Sequence, residues 1–346
     1  MDNQILYREI IEQREKDTLS PYAQLVINTR GRAKEIELCP VRTEYVRDRD
    51  RIIHCKSFRR LKHKTQVFLS PIGDHYRTRL THTLEVSQIA RTISRGLLLN
   101  EDLTEAIAMG HDLGHTPFGH SGESVLNSLV PGGFQHNKQS LRIVEKLENG
   151  VGLNLTYEVR DGILNHKKDG NPCTLEGYVV SLADRIAYVN HDIDDAIRAG
   201  LLTNESLPES CIEVIGATHG NRINALVLDI LSESYGKPYV RMSEKMAAEF
   251  NKLRSYLFDN LYHDSKAKAE EGKAEGIVEA LYNYYLKHIE KIPPEFTKYI
   301  SEDGEKRVAA DYIACMTDRY AVRTYMDLFV CTGKLKLDTG MRVLDL

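Results

Sequence analysis

The chain has 346 residues, 42% of them hydrophobic and 28% charged, with a formal net charge of −4, the composition of an ordinary globular protein able to bury a large core in one to three domains. No run approaches the roughly eighteen apolar residues that a membrane span needs, and the N-terminus MDNQILYREIIEQREKD is too charged for a secretory signal. Cys39, Cys55, Cys173, Cys211, Cys315 and Cys331 are scattered without CxxC spacing, which excludes a zinc cage or disulfide framework and sets the expectation of reduced thiols in a cytoplasmic protein.

Helical periodicity dominates the chain in order. Residues 1–18 read as a helix entering the fold, followed by a turn at SPYA. Further helices are predicted at 43–63, 79–99, 102–114, 121–130, 136–149, 175–199, 221–235, 242–260, 274–290 and 306–330. Short extended pieces are expected near 65–70 and in the tail KLKLDTGMRVL, and KAKAEEGKAEG (266–276) reads as a charged, solvated helix with weak glycine joints. Pro71 with Gly73, and Pro131-Gly132-Gly133, break neighbouring helices. The expected fold is all-α: an N-terminal helix and arm (1–40), a core carrying the functional helices (41–205) and a helical C-terminal region packed on it (206–346).

The densest chemistry lies in HDLGHTPFGHSGE, from His111 to Glu123. His111 and Asp112 offer a nitrogen and a hard oxygen from one place, which suits a divalent cation. His115, one helical turn on, is expected to share the face of His111. His120 and Glu123 follow Pro117 and Gly119, which end or kink that helix. Two more ligands come from spacing. His82 precedes Val86, Ile89, Ile93 and Leu97 at steps of three and four, and Asp184 falls in line with Val180, Tyr188 and Asp192 at steps of four. Both polar groups therefore sit on apolar stripes, where a cation is one way to satisfy a buried carboxylate. Taken singly, a buried histidine is more often hydrogen-bonded core, and Asp184 pairs as readily with an arginine. Together, His82, His111, Asp112 and Asp184 read as a metal set with open positions.

The order H…HD…D resembles the HD superfamily of metal-dependent phosphohydrolases. The wider text is similar to its deoxynucleoside triphosphate triphosphohydrolase, or dGTPase-like, branch: Ser20-Pro21-Tyr22-Ala23, RDRDRIIHCKSFRRLKHKTQVF, TRLTHTLEV, HDLGHTPFGHSGE, FQHNKQSLRIVE, LADRIAYVNHDIDDAI and DYIACMTDRYA. The likeness runs from about residue 20 to 330. It implies a divalent metal, manganese or magnesium first, with iron, cobalt, nickel or zinc as further candidates. It also implies attack of water on the α-phosphorus of a dNTP, releasing deoxynucleoside and tripolyphosphate.

His120 is the expected proton donor. Glu123, three residues on, has the spacing to orient it, and the resemblance places the catalytic histidine and carboxylate at these two positions. His115 is the rival acid or a phosphate contact. Arg79, three residues before His82, and Arg185, next to Asp184, are candidate phosphate clamps; the resemblance puts Arg79 near the base and α-phosphate and Arg185 on the phosphate chain. By resemblance His136 touches the phosphates, Gln66 and Asp192 bond the deoxyribose 3′-OH, and Tyr188 packs beneath the sugar. As isolated residues these would be surface charges, a helix cap or core.

The segment Arg42–Lys64 carries nine Lys/Arg against three Asp/Glu, and reads either as an ion-paired amphipathic helix or as a site for a regulatory nucleotide or single-stranded DNA. A homo-oligomer, tetramer or hexamer, is implied by resemblance, with no membrane partner. Cys315 and Cys55 stand where a glycine and a serine are usual. The competing readings are another HD phosphohydrolase, nucleotidase or phosphodiesterase, and a nucleotide- or single-stranded-DNA-binding regulator with a vestigial site.

Overall fold

The computed structural model describes residues 7–66, 77–198, 200–261 and 265–330. Among these residues the elements are helices, and extended pairing is limited to isolated bridges between Arg32 and Thr156 and between Thr65 and Thr78. This is the all-α architecture that the periodicity predicts. Among the described residues no helix is long and apolar enough to cross a membrane.

Helices α1 (Tyr7–Thr18), α2 (Glu44–Ile53) and α3 (Lys56–Arg60) precede α4 (Arg79–Gly96) and α5 (Glu101–Gly110). Next come α6 (Gly119–Leu129), α7 (His136–Arg142), α8 (Tyr157–Asn165) and the long α9 (Leu175–Arg198). The remainder holds α10 (Glu209–Ile215), α11 (His219–Ser234), α12 (Glu244–Leu261), α13 (Ser265–Lys287), α14 (Pro294–Thr297), α15 (Ile300–Asp303), α16 (Glu305–Ala314) and α17 (Asp318–Phe329).

Local chemistry explains where the helices stop. The single helix expected over 43–63 is broken at Cys55, which takes an extended backbone and accepts the Phe58 N–H on its sulfur, 3.3 Å away, so that α3 starts afresh. The helix expected over 102–114 ends at Gly110, with His111 as its cap. The one expected over 306–330 is interrupted because Thr317 turns extended and caps α17 through the Tyr320 N–H. Two short helices, α8 and α10, lack a stripe long enough to be read from sequence. The charged stretch 266–276 belongs to the continuous α13. The start of the first predicted helix, residues 67–70 of the expected extended piece and the whole tail lie outside the described residues.

Two apolar cores organise the chain. The first gathers Ile52 of α2, Val86, Ile89 and Ile93 of α4, Leu103 and Ile107 of α5, Ile163 of α8, and Val180 and Ile186 of α9, extended by residues of α10, α11 and α12. The second joins Phe118, Leu126, Val130 and Phe134 around α6 to Val278 and Leu281 of α13 and to Val308 and Ile313 of α16. Each large aliphatic side chain so buried contributes about 1.5–3 kcal/mol. The HDLGHTPFGHSGE segment therefore begins in one core and ends in the other.

Glu176, at the start of α9, ties the entering chain to α5. Its Oε1 accepts the N–H of Gln24 at 3.0 Å and of Asn100 at 2.9 Å, while its buried Oε2 finds no hydrogen-bond partner. Burial pushes this carboxyl up to about 7, against the pull of those N–H groups. Folding thus favours the protonated form. The associated stability is fully present below the ordinary glutamate value of 4.5 and is lost as pH rises through about 7. Denaturant unfolding should show stability falling between pH 5 and 8.5 by on the order of 3 kcal/mol from this group. In Glu176→Gln that part of the slope should vanish; equal slopes in the two proteins would exclude Glu176 as its source.

Candidate metal centre and active site

Three helices of the first core bring four donors together. His82 lies on the buried face of α4, His111 and Asp112 at the end of α5, and Asp184 midway along α9. His82 Nε2 is 3.0 Å from Asp184 Oδ1 and 3.9 Å from Asp112 Oδ2. His111 Nε2 is 3.5 Å from Asp112 Oδ1 and 3.7 Å from Asp184 Oδ1. His111 Nδ1 donates to the Ala108 carbonyl at 2.6 Å, which assigns its proton to Nδ1 and leaves a lone pair on Nε2. That Nε2 is buried without a hydrogen-bond partner. An orphaned lone pair facing two carboxylates is what a cation would satisfy, and the mixed nitrogen and oxygen donors suit an octahedral divalent ion.

The two carboxylates are held ionised. Against the cost of burial, His111, His115 and Arg79 hold the Asp112 carboxyl well below the usual carboxylate range. Asp184 is likewise held low despite burial, by His82 and His111. Burial works against a charge on His82, yet Asp184 and Asp112 raise its pKa above the usual histidine value.

Close packing shapes the turn after α5. A Cβ on Gly114 would come within 2.1 Å of the Ser140 backbone nitrogen, so only glycine lets the turn lie against α7. Ser140 Oγ then fastens it, donating to the His111 carbonyl at 2.7 Å and accepting the Gly114 N–H at 2.8 Å. Because α5 has ended, His115 does not continue a helical face from His111. It reaches the centre through the turn instead, with Nε2 3.1 Å from Asp112 Oδ1. Burial, then the Arg79 charge, hold the His115 imidazole well below the usual histidine value.

The three-residue spacing leaves Glu123 near His120, but the hydrogen bonds of Glu123 go to His136. Its Oε2 is 2.8 Å from His136 Nδ1 and its Oε1 accepts the His136 N–H at 3.0 Å, whereas His120 Nδ1 stands 3.9 Å away. His136 offers two donors from the buried start of α7; the His120 side chain is 70% exposed. Despite burial, the contacts with His136 hold the Glu123 carboxyl down to about 2. The crowded site and then the nearby Arg79 charge lower the His120 imidazole from the usual histidine value. The His136 ring stacks on His115 with centroids 4.0 Å apart, and its Nε2 is 3.2 Å from His166 Nε2.

Arg79 is nearly fully buried and points into the metal set, donating Nη1 to Asp112 Oδ2 at 3.0 Å and Nη2 to the Gln66 carbonyl at 3.4 Å. Gln66 Oε1 is buried without a partner. Arg185 donates Nε to the Ser181 carbonyl at 3.2 Å and, with Lys168 and Arg241, lines a cavity of about 290 Å³. Tyr188 and Asp192 follow Asp184 at successive turns of α9, Tyr188 packed against the first core and Asp192 buried.

Several groups at the site escaped sequence reasoning. His166, at the end of α8, donates Nδ1 to the Ile163 carbonyl at 2.7 Å and presents Nε2 to His136. His191 backs His82, Nδ1 to Nδ1 at 3.4 Å, and its Nε2 is 2.7 Å from Glu85. Lys64 is buried, its ammonium donating to the carbonyls of His115 and Ala314, and burial lowers it to about 7. The NHD sequence next to Asp192 was a signal for His191; nothing local marked His166 or Lys64.

The basic segment is partly neutralised, by its own acids and by Glu105 of α5. Arg42 pairs with Asp50 at 2.8 Å, Arg47 with Glu44 at 3.1 Å and Arg49 with Glu105 at 3.0 Å. Its second half is barer, and Lys56, Arg59, Lys62 and His63 line a cavity of about 650 Å³.

The chain has relatives that match it over most of its length. A deoxyguanosinetriphosphate triphosphohydrolase-like protein of Caldanaerobacter subterraneus is 59% identical over 324 residues, covering 93% of this chain and 96% of its own. The chain belongs to the deoxyguanosinetriphosphate triphosphohydrolase-like family. Another member, from Desulfatibacillum aliphaticivorans, is 47% identical over 94% of this chain and 98% of its own. The HD domain family matches residues 79–189, a span holding His82, His111, Asp112 and Asp184, and the phosphohydrolase-associated domain matches 240–327. HD domains bind divalent metals, and this member of the family is a hydrolase. The crystal structure of a phosphohydrolase from Bacteroides thetaiotaomicron shares the fold, with a TM-score of 0.54 at 17% identity over 82% of this chain and 68% of that one.

Proposed function

We propose that the protein hydrolyses deoxynucleoside triphosphates to deoxynucleoside and inorganic tripolyphosphate. The observation that carries this reading is the buried, unpartnered Nε2 of His111 facing the Asp112 and Asp184 carboxylates beside a cluster of further histidines. The names of the relatives, deoxyguanosinetriphosphate triphosphohydrolase-like, support dGTP as the first substrate to try.

His82, His111, Asp112 and Asp184 would hold the metal, which when bound supplies Lewis-acid polarisation of a phosphoryl oxygen and a more acidic water. The new bond joins water oxygen to the α-phosphorus, and the bond to the nucleoside 5′-oxygen breaks. His120, whose ring reaches solvent, delivers the proton that the departing 5′-oxygen needs. Glu123 fixes His136 against the phosphates, and His115 lies between His136 and Asp112 as a further phosphate contact or proton carrier. Arg185 binds the phosphate chain, while Arg79 sets Asp112 and faces the α-phosphate side. Gln66 and Asp192 bond the 3′-OH, and the Tyr188 ring leaves no room for a 2′-OH. The enzyme works as a cytoplasmic homo-oligomer on this reading, with manganese or magnesium as the first metals to supply.

Phosphorus NMR on the purified protein with manganese and each dNTP tests the reading, with a second dNTP added in one arm as activator. Tripolyphosphate equal in amount to deoxynucleoside is the expected result. Orthophosphate or pyrophosphate would replace it with another HD phosphohydrolase, and no product in any arm would favour a nucleotide-binding regulator.

A further inference from the structure

The DYIACMTDRYA segment takes no direct part in that chemistry, yet it touches the wall of the site. Thr317 caps α17 and sets Asp318 at its first position. From there the carboxylate leaves its own helix. Asp318 Oδ1 accepts the Phe118 N–H at 3.0 Å; Oδ2 accepts the Thr65 N–H at 2.8 Å and the Thr65 hydroxyl at 2.7 Å. Three donors from two distant parts of the chain thus converge on one side chain.

Both partners stand next to residues of the site. Thr65 precedes Gln66. Phe118 precedes Gly119 and His120, and it is strained: its φ of 62° lies in the left-handed region that non-glycine residues rarely adopt, and Gly119 comes next with φ 57°. A Cβ at Gly119 would lie 2.9 Å from Arg79 Nη2, so the bare glycine leaves room for the guanidinium that holds Asp112. A double left-handed corner persists only where its surroundings fix it. The Phe118 ring is buried in the second core, and Asp318 fixes the backbone. Next to it, Lys64 ties the His115 carbonyl to that of Ala314, and Arg60 donates to the Cys315 carbonyl at 2.7 Å. The junction before α17 therefore grips the 115–118 turn at both ends.

We infer that Asp318 is a positioning residue of the hydrolytic site, one carboxylate fixing both the corner that presents His120 and the backbone that presents Gln66. The inference rests on the roles of His120 and Gln66 in the proposed function. It differs from a simple docking contact, because it links the rate of proton delivery to recognition of the sugar 3′-OH.

The test uses the full-length chain with Asp318→Asn, which keeps the size but turns an amide N–H₂ towards converging donors. Expected are a kcat on dGTP lowered about ten- to a hundredfold, as for an ångström-scale misplacement, and a preference for dGTP over its 2′,3′-dideoxy analogue reduced about tenfold. Bound manganese and melting temperature should stay near wild type. Hydrogen exchange should quicken in peptides spanning 61–66 and 115–120 and not in α4, α5 or α9. Thr65→Val removes only the hydroxyl bond, so it should lower the preference for a 3′-OH and raise KM while kcat stays close to wild type, and Thr65→Ser should restore both.

A wild-type kcat in Asp318→Asn would overturn the inference. So would a uniform loss of stability, metal and activity, which marks a structural clamp. Should Asp318→Asn fail to fold, the Thr65 pair decides: equal preference for a 3′-OH in Val and Ser variants would sink it. If the wild-type protein turns over no dNTP, the functional reading fails by itself. The exchange experiment then still reports whether Asp318 holds these two segments, and unchanged exchange there would overturn the positioning role.

Discussion

His111→Ala is expected to abolish metal retention and to lower turnover at least about a thousandfold, whereas His120→Ala is expected to keep the metal and lose rate alone. Removing His111 takes away a ligand whose Nδ1 is already committed to the Ala108 carbonyl and whose Nε2 has no other use. No neighbour replaces it easily. His115 is engaged with Asp112 and stacked on His136, and His166 donates to Ile163. Polarisation by the cation is worth several kcal/mol in the transition state, and each 1.36 kcal/mol is tenfold in rate. Asp184→Ala should behave as His111→Ala does, because His82 Nε2 and His111 Nε2 both face that carboxylate. His120 stands apart from the metal set, and its exposed ring can be removed without disturbing it; loss of a general acid costs about a hundred- to ten-thousandfold. Metal content by mass spectrometry, read beside initial rates, separates the two classes. Full turnover in a metal-free His111→Ala protein would end the metal-dependent reading.

Those two classes were separable in the sequence for a physical reason. His82 and Asp184 betray themselves as polar residues on apolar helical stripes, and burial on α4 and α9 is where that pattern puts them. The arrangement of the 111–123 segment was not legible in the same way. Local spacing makes α5 run on to residue 114; the close approach of α7, which ends it, depends on Ser140, twenty-six residues beyond Gly114. Spacing likewise gives Glu123 reach towards His120 but cannot weigh that exposed ring against the two donors that His136 brings from another helix. His166 was invisible because α8 has too short a stripe to predict. Lys64 looked like one more charge in a basic run, and only the fold shows it buried against two carbonyls.

The second large effect is one of stability, and it belongs to Asp311, in the same segment as Asp318. Asp311→Ala is expected to destabilise the protein by about 3 kcal/mol. The carboxylate is 1% exposed and accepts Gln139 Nε2 at 2.9 Å and Arg142 Nε and Nη2 at 2.9 and 2.6 Å, with Arg307 Nε at 3.3 Å. Alanine would leave two guanidiniums in a partly buried space, with Asp303, 2.6 Å from Arg142, as the counter-charge that stays beside them. An uncompensated buried charge costs more than the pair ever contributed. Water reaches both arginines, their side chains being 16% and 23% exposed, so the effect falls at the lower end for a broken buried pair. Asp311→Asn keeps an acceptor for Gln139 and should cost less. The damage should also reach the site. Gln139 and Ser140 are neighbours on α7, and Ser140 Oγ fastens the His111–Gly114 turn while His136 heads the same helix. Urea unfolding of both variants measures the cost, and a loss below about 1 kcal/mol in Asp311→Ala would mean that solvent, not this carboxylate, already balances the two arginines.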